Sequence, residues 1–212
     1  MTRPPFEPVS ERDIRIVSAQ LGRRPRDVVG IPARCTCGAP TVVATAPRLS
    51  DGTPFPTFYY LTHPVATAAM SFLEAAQVMV ECSELLAADT EVAVAYARAH
   101  RDYLADRESI AVVPELAGIS AGGMPTRVKC LHALAAHALA AGPGANPIGD
   151  IALERSSWSP EVCVCPDYGV DLPDPADPAD DDTGSYDPGS HETGGHETGG
   201  HETGGHETGG HV

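Results

Sequence analysis

The chain has 212 residues and a formal net charge of −15, but the segment from Asp167 to Glu207 holds twelve of its 29 acids and no Lys or Arg. The preceding body, with seventeen acids against fourteen bases, is close to neutral, which argues against a partner recognised by neutralising a phosphate backbone. The start of the chain lacks an apolar signal core, and charged residues interrupt every apolar stretch before it could cross a bilayer, so a cytoplasmic protein with reduced thiols and no membrane partner is expected.

Ser10 followed by Asp13 opens a helix on which Ile14, Val17 and Leu21 recur at helical spacing, and Gly22 with Pro25 closes it. Arg23, Arg24 and Arg26 gather at its end, where cations suit the helix dipole. The β-branched run Thr41 to Thr45 reads as a strand and Phe58 to Leu61 as another, with Asp51-Gly52 and flanking prolines demanding a turn between them. The pair is expected to form an antiparallel hairpin that anchors the core through Phe55, Phe58, Tyr59 and Tyr60. His63-Pro64 then opens a helical region over 66–86, where Cys82 reads as a small hydrophobe in the core. A further helix over 90–106 carries Tyr96, Tyr103 and a surface His100.

After a Gly- and Ser-containing loop at 115–123, the pattern predicts one helix from Met124 to Ala141, with Pro125 in its first turn and Gly142 past its end. Residues 142–150 read as a rigid Gly/Pro loop, followed by a short helix around 151–155 and Trp158. The expected fold is α+β: a mostly helical single globular domain over residues 1–170 with a small antiparallel hairpin or sheet. Residues 171–212 bury too little to offset the entropy of ordering them and are expected to form a disordered acidic tail. Its His-Glu-Thr-Gly-Gly repeats place His191, His196, His201, His206 and His211 at a five-residue period, which could bind nickel, zinc or copper weakly but reads more plainly as a solvated, dispensable extension.

The chemistry-bearing residues are the cysteines. Five of the six lie in tight groups: Cys35 with Cys37, Cys130 beside His132, and Cys163 with Cys165. In an extended segment, residues two apart project to one face, so each Cys-x-Cys pair can offer two thiolates to one ion. Four thiolates from Cys35, Cys37, Cys163 and Cys165 suit a tetrahedral zinc, with Cys130 as a fifth thiol or substitute ligand. The same set suits an iron-sulfur cluster, and reduced functional thiols, a disulfide or unlinked cysteines are the other readings. Thiolate-rich sites are usually closed, so a structural ion is expected before a catalytic one.

A second constellation surrounds Cys130. On the predicted helix, Arg127 falls within about 60° of Cys130, and Arg127 with Lys129 near a glycine-led helix start would hold a phosphate or carboxylate. The plainer reading is a surface helix start whose cations pair with acids. Cys130, His132 and His137 are then catalytic candidates, although Cys130 and His137 lie about 10 Å apart along such a helix and His132 points away. His63 is either a general base or, more plainly, structural. No Walker loop, His-Glu-x-x-His or Gly-x-Ser-x-Gly sequence is present.

Four segments in order, Cys35 to Pro40, Asp51 to Thr62, Gly122 to His132 and Gly142 to Asp150, resemble a largely actinobacterial family of uncharacterised proteins, domain of unknown function 501. The resemblance covers about residues 10–165 and leaves the repeat tail outside. It implies no mechanism. Genes of this family often lie between one for a septum-formation initiator and one for an exopolyphosphatase-like enzyme, which implies by association a role near cell division or polyphosphate metabolism. Three functions are therefore carried forward: a metal-binding accessory protein, a small enzyme acting on an anionic or phosphorylated substrate, and a division-linked interaction module with a protein partner.

Overall fold

The computed structural model describes residues 3–6 and 8–168, so the expectations for the 171–212 tail lie outside the described residues. Helix α1 (Glu11–Leu21) starts as its sequence predicts. Ser10 Oγ accepts from the Asp13 backbone N–H at 3.1 Å while Asp13 accepts from the Ser10 N–H at 3.2 Å, and Gly22 ends the helix in the left-handed region at φ 71°. Asp13 also accepts from Arg34 at 3.1 Å, and Gln20 donates to the Pro40 carbonyl at 2.8 Å, fastening α1 to the sheet.

The sheet has three antiparallel strands in the order β1 (Val28–Arg34), β2 (Pro40–Thr45) and β3 (Tyr59–Leu61). The expected hairpin is β2 with β3, paired Val42 to Leu61 and Ala44 to Tyr59. Strand β1 is an addition that the sequence reading lacks: Gly30 and Pro32 mask it, and proline is tolerated because β1 is an edge strand with an irregular register. β2 is buried along its whole length, so the hairpin strands themselves offer little surface to a partner.

The helical region after His63 is two helices, α2 (Pro64–Ala75) and α3 (Val78–Ala88), bent by 70° about Gln77 at φ 65°. α4 (Thr90–Ile110) follows and runs longer than predicted. Among the described residues no single helix is long and apolar enough to cross a membrane; α2 and α3 meet that test only as a bent pair. α5 (Leu131–Ala141) is buried along nearly its whole length and packs on all three strands, on α2 and on α6 (Pro147–Arg155). The α5–α6 approach is close: a Cβ on Gly149 would lie 2.2 Å from the Leu134 carbonyl oxygen. Residues 147–150, read as loop, are the first turn of α6, capped by Asn146, which accepts from the Gly149 N–H at 3.0 Å.

The predicted helix start at Met124 is corrected to Leu131, with Cys130 in the capping position. Gly122 and Gly123 take φ of 70° and 92°, and their carbonyls accept from the Lys129 and Arg127 N–H groups at 2.8 and 3.0 Å, closing a loop where a helix was expected. Neither glycine tolerates a side chain, because a Cβ would meet Leu134 or the Arg127 carbonyl at 2.5 Å. One large core joins sheet and helices through Phe58, Tyr59, Met70, Tyr96, Tyr103, Leu131, Leu134 and Ile148, and it includes Cys82, as expected.

Candidate metal centre

The turn between β1 and β2 is Cys35-Thr36-Cys37-Gly38. Cys35 N–H donates to the Ala39 carbonyl and Gly38 N–H to the Cys35 carbonyl, both at 2.8 Å, and Gly38 at φ 89° makes the reversal possible. The turn brings the two sulfurs together, with Cys35 buried and Cys37 exposed. The C-terminal segment returns to it past Trp158, which is buried in the main core at 4% exposure. Cys165 and Tyr168 then pack on a small satellite core of Ile16, Cys35 and Ala39.

The result brings Cys35, Cys37, Cys163 and Cys165 together with their sulfurs 3.6–4.1 Å apart. A tetrahedron with metal–sulfur bonds of about 2.3 Å has edges of about 3.8 Å, whereas a disulfide needs about 2.05 Å. All six cysteines are free thiols. The four-cysteine group is thus positioned to bind a metal ion, as the spacing of the pairs predicts. Burial raises the Cys35 thiol, but the Cys37 N–H and the neighbouring thiols outweigh it and bring Cys35 down to about 7. Burial and the same neighbours push Cys165 well above the ordinary range. Four thiols in contact release one proton readily and resist losing the next, a repulsion that a cation relieves.

Cys130 is not part of this centre. It faces His132, with Sγ 3.9 Å from Nδ1, and that same Nδ1 lies 3.1 Å from Glu74 Oε1. His132 Nε2 lies 3.1 Å from the Thr67 carbonyl oxygen and 3.2 Å from Ser71 Oγ. The Cys130 contact, opposed by burial and helped by Glu74, pushes His132 up to about 9. Glu74 also accepts the Leu131 N–H at 2.6 Å, so the anion at the start of α5 is a side chain of the protein itself.

Cys130 and His132 line a cleft of about 820 Å³ whose walls also include Arg127, Lys129, Gly122, Gly123 and Tyr60. The predicted anion-binding pair therefore does share a cleft with the thiol, although on a loop rather than a helix face. Tyr96 Oη donates to the Arg127 carbonyl at 3.0 Å and holds that loop.

His137 does not belong to the cleft. It is fully buried, stacked 5.6 Å from Tyr59, and accepts at Nδ1 from Asn146 Nδ2 at 3.2 Å, because α5 is enclosed by the sheet, α2 and α6 along nearly its whole length. His100 is half-buried and pairs with Ser120 at 2.8 Å.

His63, weighed in the sequence as a general base or a structural residue, is the N-cap of α2: it accepts from the Ala66 N–H at Nδ1, which leaves Nε2–H to donate to Cys165 Sγ at 3.3 Å. Glu74, beside Cys130 and His132, is a position that the sequence did not single out. His63, Thr67, Ser71 and Glu74 form a polar stripe at helical spacing in an otherwise apolar helix, a pattern present in the sequence. It joins the thiolate group at one end of α2 to the cleft at the other, about 16 Å along the axis.

No curated protein and no solved structure matches the chain. The profile of one family matches residues 31–154, a span that holds Cys35, Cys37, Glu74, Cys130 and His132 and stops short of Cys163 and Cys165. That span is more than half of the chain, which therefore belongs to the family described as Protein of unknown function (DUF501).

Proposed function

We propose that this is a cytoplasmic zinc protein in which Cys35, Cys37, Cys163 and Cys165 hold one structural ion, and that the ion pins the C-terminal segment to the β1–β2 turn. The observation that carries this is the set of four sulfurs at 3.6–4.1 Å, the edge length of a tetrathiolate tetrahedron. Four sulfurs leave no open position, so the ion supports the fold and does no chemistry. His63 Nε2–H, donating to Cys165, would stabilise thiolate charge there and orient the ligand.

Metal content by mass spectrometry on full-length protein purified without oxygen tests this. Cys163→Ser is expected to lose about one zinc per chain relative to the wild type, with no visible colour in either. Iron with sulfide and a brown colour would replace zinc by an iron-sulfur cluster, and equal metal content in wild type and variant would end the reading. Comparison between variants cancels any metal on the histidine repeats.

A second reading has its own observation: Arg127, Lys129, Cys130 and His132 line one cleft. Such a cleft suits an enzyme acting on a phosphorylated or otherwise anionic small molecule, with the two cations holding the charged group. A division-linked accessory role has the family's gene setting as its support and predicts copurification with a septal protein.

A further inference from the structure

The donors around Cys130 converge on a point. In a proton relay, one imidazole nitrogen faces the nucleophile and the other faces the acid that orients the ring. Here a single nitrogen, His132 Nδ1, faces both Cys130 Sγ at 3.9 Å and Glu74 Oε1 at 3.1 Å. Nε2 is turned away onto the Thr67 carbonyl oxygen, which only accepts, so the Nε2 proton is committed there. A histidine whose second nitrogen is anchored on a backbone carbonyl is the usual form of a metal ligand, as is a carboxylate steadied by a backbone N–H. Glu74 has that partner in Leu131. Sulfur, nitrogen and oxygen donors thus lie within 4.8 Å of one another and half-buried, and two of the three residues, Cys130 and His132, line the cleft.

We propose that Glu74, Cys130 and His132 hold a zinc ion in an open three-ligand site, and that this ion, with Arg127 and Lys129, binds the phosphate or carboxylate group of a small molecule in the cleft. Three protein ligands leave a fourth position for water or substrate. Cys130 and His132 line the cleft, so a ligand there would reach an ion held by them. Arg127 and Lys129 line the same cleft and, like several other arginines, have no ion pair among the described residues, so their charges are open to an anion bound there. The site is separate from the tetrathiolate centre and does not depend on it.

The test uses full-length protein purified without oxygen and dialysed exhaustively. Glu74→Gln, Cys130→Ser and His132→Asn should each lose about one zinc per chain, and Cys130→Ser combined with Cys163→Ser about two. Glu74→Gln keeps an acceptor for the Leu131 N–H, and Cys130 makes no side-chain cap bond to α5, so these two variants should fold; circular dichroism checks this. Equal zinc in the wild type and the folded variants overturns the site. So does rapid alkylation of Cys130 by iodoacetamide in zinc-loaded protein, which would make Cys130 a free nucleophile.

Cobalt-substituted protein is then titrated with inorganic phosphate. The visible bands should shift in the wild type and not in Glu74→Gln, since a closed tetrathiolate site has no position for phosphate. Arg127→Ala should weaken phosphate binding by about tenfold or more, the loss of one charge-assisted hydrogen bond. A wild-type spectrum indifferent to phosphate, or unchanged affinity in Arg127→Ala, overturns the assigned ligand class.

Discussion

Removing the tetrathiolate ion should loosen the C-terminal segment and lower the melting temperature without unfolding the chain at ambient temperature. Two parts of the structure set the size of the effect. Trp158 is buried in the main core independently of the cysteines, so the segment remains anchored up to that residue when the metal leaves. What is released lies beyond it: Cys163 to Tyr168 and their packing on Ile16, Cys35 and Ala39. An ion that binds only the folded state stabilises it by about 4 kcal/mol at free zinc a thousandfold above its dissociation constant. In a domain of this size each kcal/mol moves the midpoint by about 2–4 °C, so chelation should lower it by about 8–16 °C. Calorimetry in zinc-buffered and chelator-containing solutions measures this. The single tryptophan reports locally, because its ring lies 5.3 Å from His63, which donates to Cys165. Its fluorescence should change on chelation in the wild type and not in Cys163→Ser, whose midpoint should already be lowered. A melting temperature and Trp158 emission unmoved by proven removal of the metal would refute the structural role.

Burial, aided by Arg3, pushes His137 down to about 4, so this histidine is neutral in the fold. Its unfolded value is about 6.5, so the unfolded state binds more protons between the two; stability is complete above about pH 6.5 and falls toward pH 4, by about 3 kcal/mol. Urea unfolding at pH 7 and 4.5 with chelator present should show this loss, and His137→Gln should reduce it; an unchanged pH slope in the variant would discredit the assignment. At Gly149, an added Cβ would lie 2.2 Å from the Leu134 carbonyl oxygen and 2.8 Å from Ala138 Cβ. Gly149→Ala should therefore cost about 1–3 kcal/mol in urea unfolding, against the gain of about 0.5–1 expected in an unobstructed helix. A more stable variant would mean that α5 and α6 are not in close contact.

The α+β class, the start and stop of α1, the β2–β3 pair and the capacity of each Cys-x-Cys pair to present two sulfurs are all legible in the sequence. Each rests on residues a few positions apart, as in the Ser10–Asp13 box and the Gly22 stop, where local chemistry alone decides the conformation. Tertiary packing decided the rest. The helix pattern that runs back to Met124 yields to a loop because Gly122 and Gly123 pack against Leu134 and the Arg127 carbonyl, a constraint that helical periodicity does not encode. Strand β1, interrupted by Gly30 and Pro32, exists because β2 offers it an edge. Cys37 and Cys163, 126 positions apart, meet only because Trp158 docks in the core and returns the chain to the first turn. Glu74 joins Cys130 and His132 only because α2 lies across the start of α5. A donor set drawn from distant segments is fixed by the packing of the elements that carry it, and sequence spacing reports only the part of that set lying within one element.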